Sequence, residues 1–324
     1  MIINRFRPGD KVRHFKRETI GDEERAAGVY TYEIVGTARH SETGEKLMIY
    51  KALYGQRGMF ARPLDMFLGE VDHEKYPNIE QPFRFEGELR EIWVTSGEIL
   101  NRVLSKHNPG PFVPFNEAMI SGDISYPLFT DDFAEKRAEN FHVDIASYAE
   151  NMRQYLLFAE EPDEYERVTL VFGTDAFCQI NVLAVLACLE QRGYSGEVWL
   201  QLIDEEEYEP LDDGRRITLG GYAEVYRSLC EGRIYPTEEA VSDGHECTVI
   251  PELDEAIGVY FMLRDEEGEV AAMIKAAEGD AKDVFRTVMD GTRRYGLGDV
   301  QVLKLIRKFR PDIPEYGSRP EADE

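Results

Sequence analysis

The chain has 324 residues, of which 43% are hydrophobic and 31% charged, fractions typical of a globular protein. Its formal net charge of −26 argues against broad nucleic-acid binding, because DNA affinity depends on Lys and Arg side chains that neutralise phosphates. No run approaches the roughly 20 apolar residues of a membrane span, and no apolar signal-peptide segment follows the first residues. The four cysteines lack CxxC spacing, so we expect a cytoplasmic protein with reduced thiols. These cysteines are Cys178, Cys188, Cys230 and Cys247.

Residues 1–87 have the pattern of a small all-β domain. Short runs alternate between apolar and polar side chains with the period of two that a strand requires. Strands are predicted over residues 11–16, 30–39, 47–54, 60–67 and 83–85. Residues 18–28 are polar and acidic, which predicts a loop, and Thr43-Gly44 supplies a hairpin turn. Five short strands in this length favour an SH3-like barrel, with Pro63 at an edge or a strand end.

Three aromatic-rich segments carry the most specific signal in this part of the chain. They are RHFKRETI from Arg13, YTYEIVGTARHSETGEKLMIYKALYG from Tyr30 and GMFARPLDMFLGEV from Gly58. These residues resemble a bacterial family, domain of unknown function 1653, which implies a small bacterial β domain and no particular activity. Because SH3-like barrels often present aromatic grooves to peptides, a groove is one interpretation of these side chains. The other interpretation is that the tyrosines form the core of the barrel. The groove residues would be Tyr30, Tyr32, Tyr50, Tyr54, Phe60, Arg62 and Glu42.

From residue 88 the pattern changes to short apolar strands that alternate with helices. Strands are predicted over Glu91–Thr95, Phe112–Phe115, Val168–Phe172 and Val198–Ile203. Helical spacing is found over Ile99–His107, over a long region from Asp131 to Phe158, and over Ala176–Arg192. Such alternation favours a parallel sheet with helices on both faces. Residues 88–215 are therefore expected to form a Rossmann-like α/β domain.

Polar residues follow the predicted strands of this domain. In an open parallel sheet, ligands bind at the carboxyl ends of the strands, where loops and helix N-termini meet. Asp175 is placed to cap the next helix, and positions 175, 178 and 181 share one face of it. The sequence therefore predicts a polar strand-end pocket. Its candidate ligand-binding residues are Ser96, Gly97, Glu98, Asn116, Glu117, Thr174, Asp175, Gln179 and Asn181.

Three side chains offer reactive chemistry: Glu117, Asp175 and Cys178. A carboxylate at a strand end has no packing reason to be there, so Glu117 is a candidate for ligand contact or proton transfer. Asp175 is either a helix N-cap, worth about 1 kcal/mol, or a site residue. A thiol at a helix N-terminus can act as a nucleophile, whereas free cysteines in helices are usually buried, so both roles stay open for Cys178.

Several segments between residues 91 and 310 resemble a second bacterial family, domain of unknown function 1835. They are VTSGEIL from Val94, FNEAMISGD from Phe115, FAEKRAENF from Phe133 and FGTDAFCQINVLAVLACL from Phe172. The resemblance implies a shared fold and a pocket, with no reaction attached. Neither a Walker loop nor GxGxxG is present, so no phosphate-cradling loop and no cofactor are predicted. The six histidines have no metal-ligand spacing, so no metal is predicted either.

Residues 216–310 show helical periodicity alone and predict a helical extension, followed by a disordered tail over residues 311–324. Basic side chains are concentrated near the end of this extension, and we expect them to lie on one exposed helical surface. That surface would pair with the acidic run Asp204–Glu207 or with an acidic protein partner. These side chains are Arg293, Arg294, Lys304, Arg307 and Lys308. The segment from Tyr295 also resembles the second half of a helix-turn-helix, an alternative that the net charge disfavours.

The sequence thus predicts a multidomain α+β protein with a barrel, an α/β domain and a helical extension. Two classes of function fit it. The first is a ligand-binding or protein-interaction protein, with an unknown small-molecule or protein ligand and no membrane or nucleic-acid partner. The second is an enzyme, a hydrolase or transferase acting on a small polar or nucleotide-like metabolite. In the enzyme, Glu117 or Asp175 would transfer protons while Gln179 and Asn181 orient the substrate.

Overall fold

The structure, a computed structural model, describes residues 4–106, 108, 110–233 and 251–313. The N-terminal part forms an antiparallel sheet of five strands in the order β4-β3-β2-β1-β5. The strands are β1 (Lys11–His14), β2 (Thr31–Arg39), β3 (Lys46–Ala52), β4 (Met59–Pro63) and β5 (Phe85–Gly87). The expected β domain is therefore present, and Pro63 ends an edge strand as predicted.

Two predictions for this part were wrong. Residues 18–28 are not simply a loop, because they contain the short helix α1 (Asp22–Ala26). None of its residues is buried, so it leaves no apolar periodicity in the sequence. The strand predicted over residues 60–67 ends at Pro63 and turns into the helix α2 (Leu64–Leu68). The α2 residues Phe67 and Leu68 are buried in the module core, so the apolar residues of this run continue beyond the end of the strand.

Aromatic rings fill the core of this N-terminal module. Tyr32 and Tyr50 are buried there with Phe85, and the ring of Phe67 stacks on that of Phe85 with centroids 3.8 Å apart. Tyr30 and Tyr54 are half-buried at its margin. Tyr32 and Tyr50 are therefore core residues, whereas a peptide groove at the half-buried Tyr30 and Tyr54 stays a prediction.

The second sheet has the order β10-β9-β8-β6-β7. Its strands are β6 (Glu91–Thr95), β7 (Phe112–Pro114), β8 (Arg167–Phe172), β9 (Glu197–Leu202) and β10 (Arg215–Ile217). The first four are parallel, as predicted, whereas β10 pairs antiparallel with β9 and was not predicted. The strand β10 has only three residues, two of them arginines, so its sequence shows no alternation of apolar and polar side chains. It forms a strand because it pairs with β9.

Helices α3 (Glu98–Ser105), α4 (Asp131–Phe141), α5 (Ile145–Glu160) and α6 (Ala176–Gln191) connect these strands. Leu100 and Leu104 of α3 pack with Trp93 and Val171 on one face of the sheet, while α4 to α6 join the core on the other face. The single helical region expected over residues 131–158 was wrong. His142 has a left-handed φ of 56° that ends α4, and Asp144 then accepts a hydrogen bond from Ser147 N to start α5.

The predicted helical extension is present in the described residues. It consists of α7 (Tyr222–Cys230), α8 (Pro251–Met262), α9 (Glu269–Ala276), α10 (Ala281–Thr292) and α11 (Asp299–Phe309). These helices share one continuous core with α6, which is buried on nearly every side. The predicted disordered tail lies outside the described residues from residue 314 onward. No helix in the described ranges is long and apolar enough to span a bilayer.

A buried ion-pair network joins the N-terminal module to the second sheet. Arg167 of β8 donates to both carboxylate oxygens of Asp10, at 2.8 and 2.7 Å, and to Glu197 Oε2 at 2.9 Å. Burial alone would lower the pKa of Arg167, but Asp10, Glu91 and Glu197 raise it above its ordinary value. Because the network is bidentate and enclosed, it fixes how the module sits on the sheet.

Candidate functional site

A cavity of about 530 Å³ lies at the carboxyl ends of β6 and β7. Five of the predicted ligand-binding residues contribute to its wall, namely Ser96, Gly97, Glu98, Asn116 and Glu117. Parallel strands bring these positions together because their carboxyl ends meet at one edge of the sheet. We refer to this cavity as the strand-end pocket.

Amide side chains shape the strand-end pocket. Asn116 Nδ2 donates to Asn151 O at 3.0 Å, and Asn151 Nδ2 donates to Asn116 O at 3.3 Å, which ties the end of β7 to α5. Gly97 has a φ of 91° and would place a Cβ 3.7 Å from Asn116 Oδ1, so a side chain there would be strained. With Gln154, these amides offer hydrogen-bond donors and acceptors without net charge.

The charge of the strand-end pocket is neutral to negative. Among the described residues of its wall there is no Lys, Arg or His, whereas Glu98 and Glu150 both belong to it. Glu98 pairs with Arg102 at 2.9 Å, on the outer surface of α3. Phe141 and Phe177 add half-buried apolar area to the wall. Glu150 pairs with Arg153 at 3.8 Å, so both of these surface glutamates have an arginine partner outside the pocket. A wall of this kind suits a polar ligand that is uncharged or cationic.

The carboxylate of Glu117 is fully committed to protein contacts. Its Oε2 accepts from Arg137 Nη2 at 2.6 Å and from Ala118 N at 2.8 Å, and its Oε1 accepts from Tyr148 OH at 2.8 Å. Neither side chain of the Glu117–Arg137 pair is exposed. Burial alone would lower the pKa of Arg137, but the Glu117 carboxylate raises it above its ordinary value. Glu117 therefore positions Arg137 beneath the pocket rather than facing a ligand.

Arg137 in turn fixes the loop that follows β7. Its Nη1 donates to Ser121 O at 2.9 Å and to Asp123 O at 3.0 Å, and its Nη2 donates to Ala118 O at 3.0 Å. A single guanidinium thus satisfies three backbone carbonyls that no strand or helix pairs. The sequence placed Glu117 at the strand end, but it gave no sign that Arg137 is its partner, 20 residues later.

Asp175 belongs to a separate cluster with Cys178 and Glu205. Asp175 Oδ1 accepts from Cys178 N at 2.9 Å, so it caps α6, and Cys178 Sγ donates to Glu205 Oε1 at 2.9 Å. The turn at Gly296 lies directly against the Asp175 carboxyl, because a Cβ at Gly296 would overlap it. The predicted ligand residues therefore divide between the strand-end pocket and a second cluster, in which Cys178 is buried, Asp175 is half-buried against the turn at Gly296 and Glu205 is exposed.

Burial and the neighbouring Glu205 carboxylate raise the pKa of Asp175 to about 8. Burial and the two carboxylates also raise the pKa of the Cys178 thiol well above its ordinary value. A thiol in this state is a poor nucleophile, because the thiolate is the reactive form. Among the described residues, these three side chains also form a set whose ligand atoms lie within 4.8 Å of one another, a spacing that could hold one cation.

Gln179 and Asn181 hold backbone groups. Gln179 Nε2 donates to Gly173 O at 2.6 Å, and Asn181 Nδ2 donates to Glu117 O at 2.7 Å. Asn181 Oδ1 accepts from Met119 N at 2.9 Å, so its amide links α6 to the loop after β7. Both side chains are buried, and Thr174 is exposed outside the strand-end pocket. Glu205, which completes the Asp175 cluster, was not singled out because it lay within a run of exposed acidic residues.

The basic C-terminal side chains mostly contact the protein itself. Arg293 pairs with Glu206 at 3.8 Å, within the acidic run that was expected to face it. Lys304 donates to Asn140 O, and Lys308 Nζ donates to Arg264 O at 3.1 Å. These contacts dock α11 onto the body of the protein.

The comparisons with known proteins bear on the N-terminal module. Residues 10–87 match the family model described as "Protein of unknown function (DUF1653)", which confirms the resemblance noted for these residues. No curated protein matches the chain. Among solved structures, a DNA primase domain from Pseudomonas aeruginosa aligns with 11% sequence identity. The alignment covers 88% of this chain and 78% of the primase chain. Its TM-score is 0.21, so that similarity carries no argument about fold or function. Fold and sequence together define a mixed α/β protein with an N-terminal module of the DUF1653 kind.

Proposed function

We propose that this protein binds a small polar molecule, uncharged or cationic, in its strand-end pocket. The observation that carries the proposal is the wall of that pocket, in which amide and hydroxyl groups occur with three glutamates and, among the described residues, without a basic side chain. Of these glutamates, Glu117 is held by the buried Arg137. The pocket volume of about 530 Å³ is within the range of small-molecule sites. Within the part of the chain that the structure describes, Asn116 Oδ1 and Asn151 Oδ1 accept no hydrogen bond, so each can accept one from the ligand.

The proposal includes two fold assignments. Counted from β6, the second sheet has the strand order 2-1-3-4-5 of flavodoxin-like doubly wound domains, which supports a Rossmann-like α/β domain. In such sheets the chain continues from the first strand toward one edge of the sheet and from the third strand toward the other edge. The first and third strands are here β6 and β8, and ligands bind at the crevice between their carboxyl ends. The five short antiparallel strands of the N-terminal module support an SH3-like barrel. The resemblance to domain of unknown function 1835 agrees with the first assignment.

A ligand screen tests the function directly. Thermal shift with uncharged and cationic metabolites (nucleosides, amino-acid amides, polyamines) should give hits, which calorimetry then confirms. Gln154→Leu removes an exposed amide from the pocket wall and should weaken binding roughly tenfold, the effect of one lost hydrogen bond. Gln56→Leu is the matched control, because Gln56 is exposed on the N-terminal module. Equal affinities of the two variants, or the absence of any hit in both classes, would overturn the proposal.

One observation favours the alternative of an enzyme. The pKa of Asp175 is raised to about 8, and a carboxyl that titrates near neutrality suits proton transfer. Glu117 does not support that alternative, because its carboxylate accepts hydrogen bonds from Arg137, Tyr148 and Ala118. Because Asp175 lies outside the strand-end pocket, the enzyme alternative requires the ligand to reach the separate cluster of Asp175, Cys178 and Glu205. If the ligand found by the screen is converted to a product, Asp175→Asn should abolish the conversion and leave binding in the strand-end pocket intact. If the native protein binds the ligand without converting it, the enzyme alternative is wrong and the binding function remains.

A further inference from the structure

A second cavity, of about 290 Å³, opens beside the aromatic core of the N-terminal module. Four basic side chains contribute to its wall from three separate parts of the module: Lys16, Arg62, Lys75 and Arg84. Tyr30, Tyr32 and Tyr50 belong to the same wall, so it contains three of the tyrosines of the expected groove. We refer to it as the basic pocket.

The basic side chains of this pocket lack acidic partners. Among the described residues none of the four forms an ion pair, although the whole chain carries a formal charge of −26. Arg62 lies over the ring of Phe85 and Lys75 over that of Tyr76, each 5.6 Å from the ring centroid. Asp72 is the acidic residue of the described wall, and its Oδ1 accepts a hydrogen bond from Lys75 N at 3.1 Å. This pocket therefore concentrates positive charge, although the chain as a whole is strongly acidic.

His14 belongs to the wall of the basic pocket, where burial and the neighbouring cations lower its pKa. It is buried, and burial together with Arg62, Lys16 and Arg84 lowers its pKa to about 3. The imidazole is therefore neutral at physiological pH. Its Nδ1 accepts from Lys16 N at 3.2 Å, so Nε2 carries the proton and is a donor. Arg62, Lys16 and Arg84 lie close enough to disfavour a positive charge on His14, and for the same reason they favour an anion bound between them.

We infer that the basic pocket binds the doubly charged anionic group of a small molecule, either a phosphate monoester or paired carboxylates. Guanidinium groups such as Arg62 and Arg84 recognise both groups through paired hydrogen bonds. The half-buried rings of Tyr30 and Tyr76 give the remainder of the ligand a surface on which to pack. A volume of about 290 Å³ holds such a group with a small body. This site differs from the strand-end pocket in position and in the charge that it selects.

Calorimetry on the full chain tests the inference with four probes at constant ionic strength. They are inorganic phosphate, glycerol 3-phosphate, citrate, and glycerol without phosphate. At least one of the three anions should bind in the millimolar range or more tightly, and glycerol alone should bind far more weakly. Preference for glycerol 3-phosphate or for citrate identifies the phosphate or the carboxylate source. Failure of all three anions to bind overturns the inference and leaves the proposal for the strand-end pocket untouched.

Charge variants locate the binding. Arg62→Gln and Arg84→Gln should each weaken the anion roughly tenfold or more, the effect of a lost charge-assisted contact. Lys75→Gln should weaken it less, and because Lys75 is exposed this variant carries little risk to the fold. Arg39→Gln is the matched control, since Arg39 is an exposed arginine of the same module outside the pocket. Equal weakening by Arg39→Gln would mean nonspecific attraction and would refute the assignment.

Discussion

The pair formed by Glu117 and Arg137 gives the sharpest prediction from the structure. Replacing Glu117 by Gln keeps the shape of the side chain but removes its charge and one of its two acceptors. Three groups surround the carboxylate, and all are donors: the Arg137 guanidinium, Tyr148 OH and Ala118 N. The amide NH2 of Gln would have to face one of these donors, and the buried guanidinium would lose its counter-charge.

Removal of one partner from a buried ion pair costs about 3–5 kcal/mol, because the remaining charge is left uncompensated. We therefore expect Glu117→Gln to lower the free energy of unfolding by about that amount in urea titrations. Tyr148→Phe removes one neutral donor to the same carboxylate and should cost only about 1 kcal/mol. Adding Arg137→Met to Glu117→Gln should recover part of the loss, although the carbonyls of Ala118, Ser121 and Asp123 then each lose one hydrogen bond.

Glu150→Gln is the matched control, since Glu150 is an exposed glutamate of the strand-end pocket. It should change stability by no more than about 0.5 kcal/mol. A loss below about 1 kcal/mol for Glu117→Gln would refute the structural role. If that variant were fully stable but failed to process a ligand that it still binds, Glu117 would regain its place as an acid–base candidate.

Three further predictions concern the junction, the acidic cluster and the basic helices. Asp10→Asn breaks the bidentate contact with Arg167, so the N-terminal module should become more sensitive to limited proteolysis while the rest stays protected; unchanged protection would contradict this. Burial and Glu205 raise the pKa of Asp175 from 3.8 to about 8, so its contribution to stability is fully present below pH 3.8 and is lost as the pH rises to about 8. Glu205→Gln should flatten that loss in urea unfolding across this pH range, whereas an unaltered slope would count against the coupling. Since Lys304 is docked on the protein, the full chain should show no tight, steeply salt-dependent binding to duplex DNA.

Strongly patterned elements could be predicted from the sequence. The strand Glu91–Thr95 has the predicted bounds, and the helix predicted over Ala176–Arg192 ends one residue earlier, at Gln191. An apolar run and a long buried helix each bury their own residues, so both leave a clear pattern in the sequence. The errors occurred where another part of the chain determines the conformation. The strand β10 exists through its pairing with β9, and the break at His142 depends on a left-handed residue and a new cap rather than on any loss of apolar spacing.

In the candidate sites too, positions set by the strand pattern could be predicted, whereas contacts with distant parts of the chain could not. Parallel strand ends meet wherever such a sheet forms, so Ser96 and Asn116 could be placed together from the sequence. Whether a carboxylate faces a ligand or a buried partner depends on contacts far along the chain. Arg137 neutralises Glu117 and the turn at Gly296 covers Asp175, and neither contact leaves a motif in the sequence. Four residues of the basic pocket belong to the groove predicted from the sequence, namely Tyr30, Tyr32, Tyr50 and Arg62. Its other cations were not singled out because they are scattered among acidic residues.

The opposite charges of the two cavities separate the two proposals experimentally. The described wall of the strand-end pocket has carboxylates and no basic side chain, so it favours a cationic over an anionic ligand. This preference holds even though Glu98 and Glu150 are paired with Arg102 and Arg153. The basic pocket has four cations that form no ion pair with any described residue, so a cationic ligand is disfavoured there. A charged hit from either screen is therefore assigned to one cavity by its sign before any variant is made. The variants at Gln154 and Arg62 then test that assignment, because each should weaken one class of ligand and leave the other unchanged.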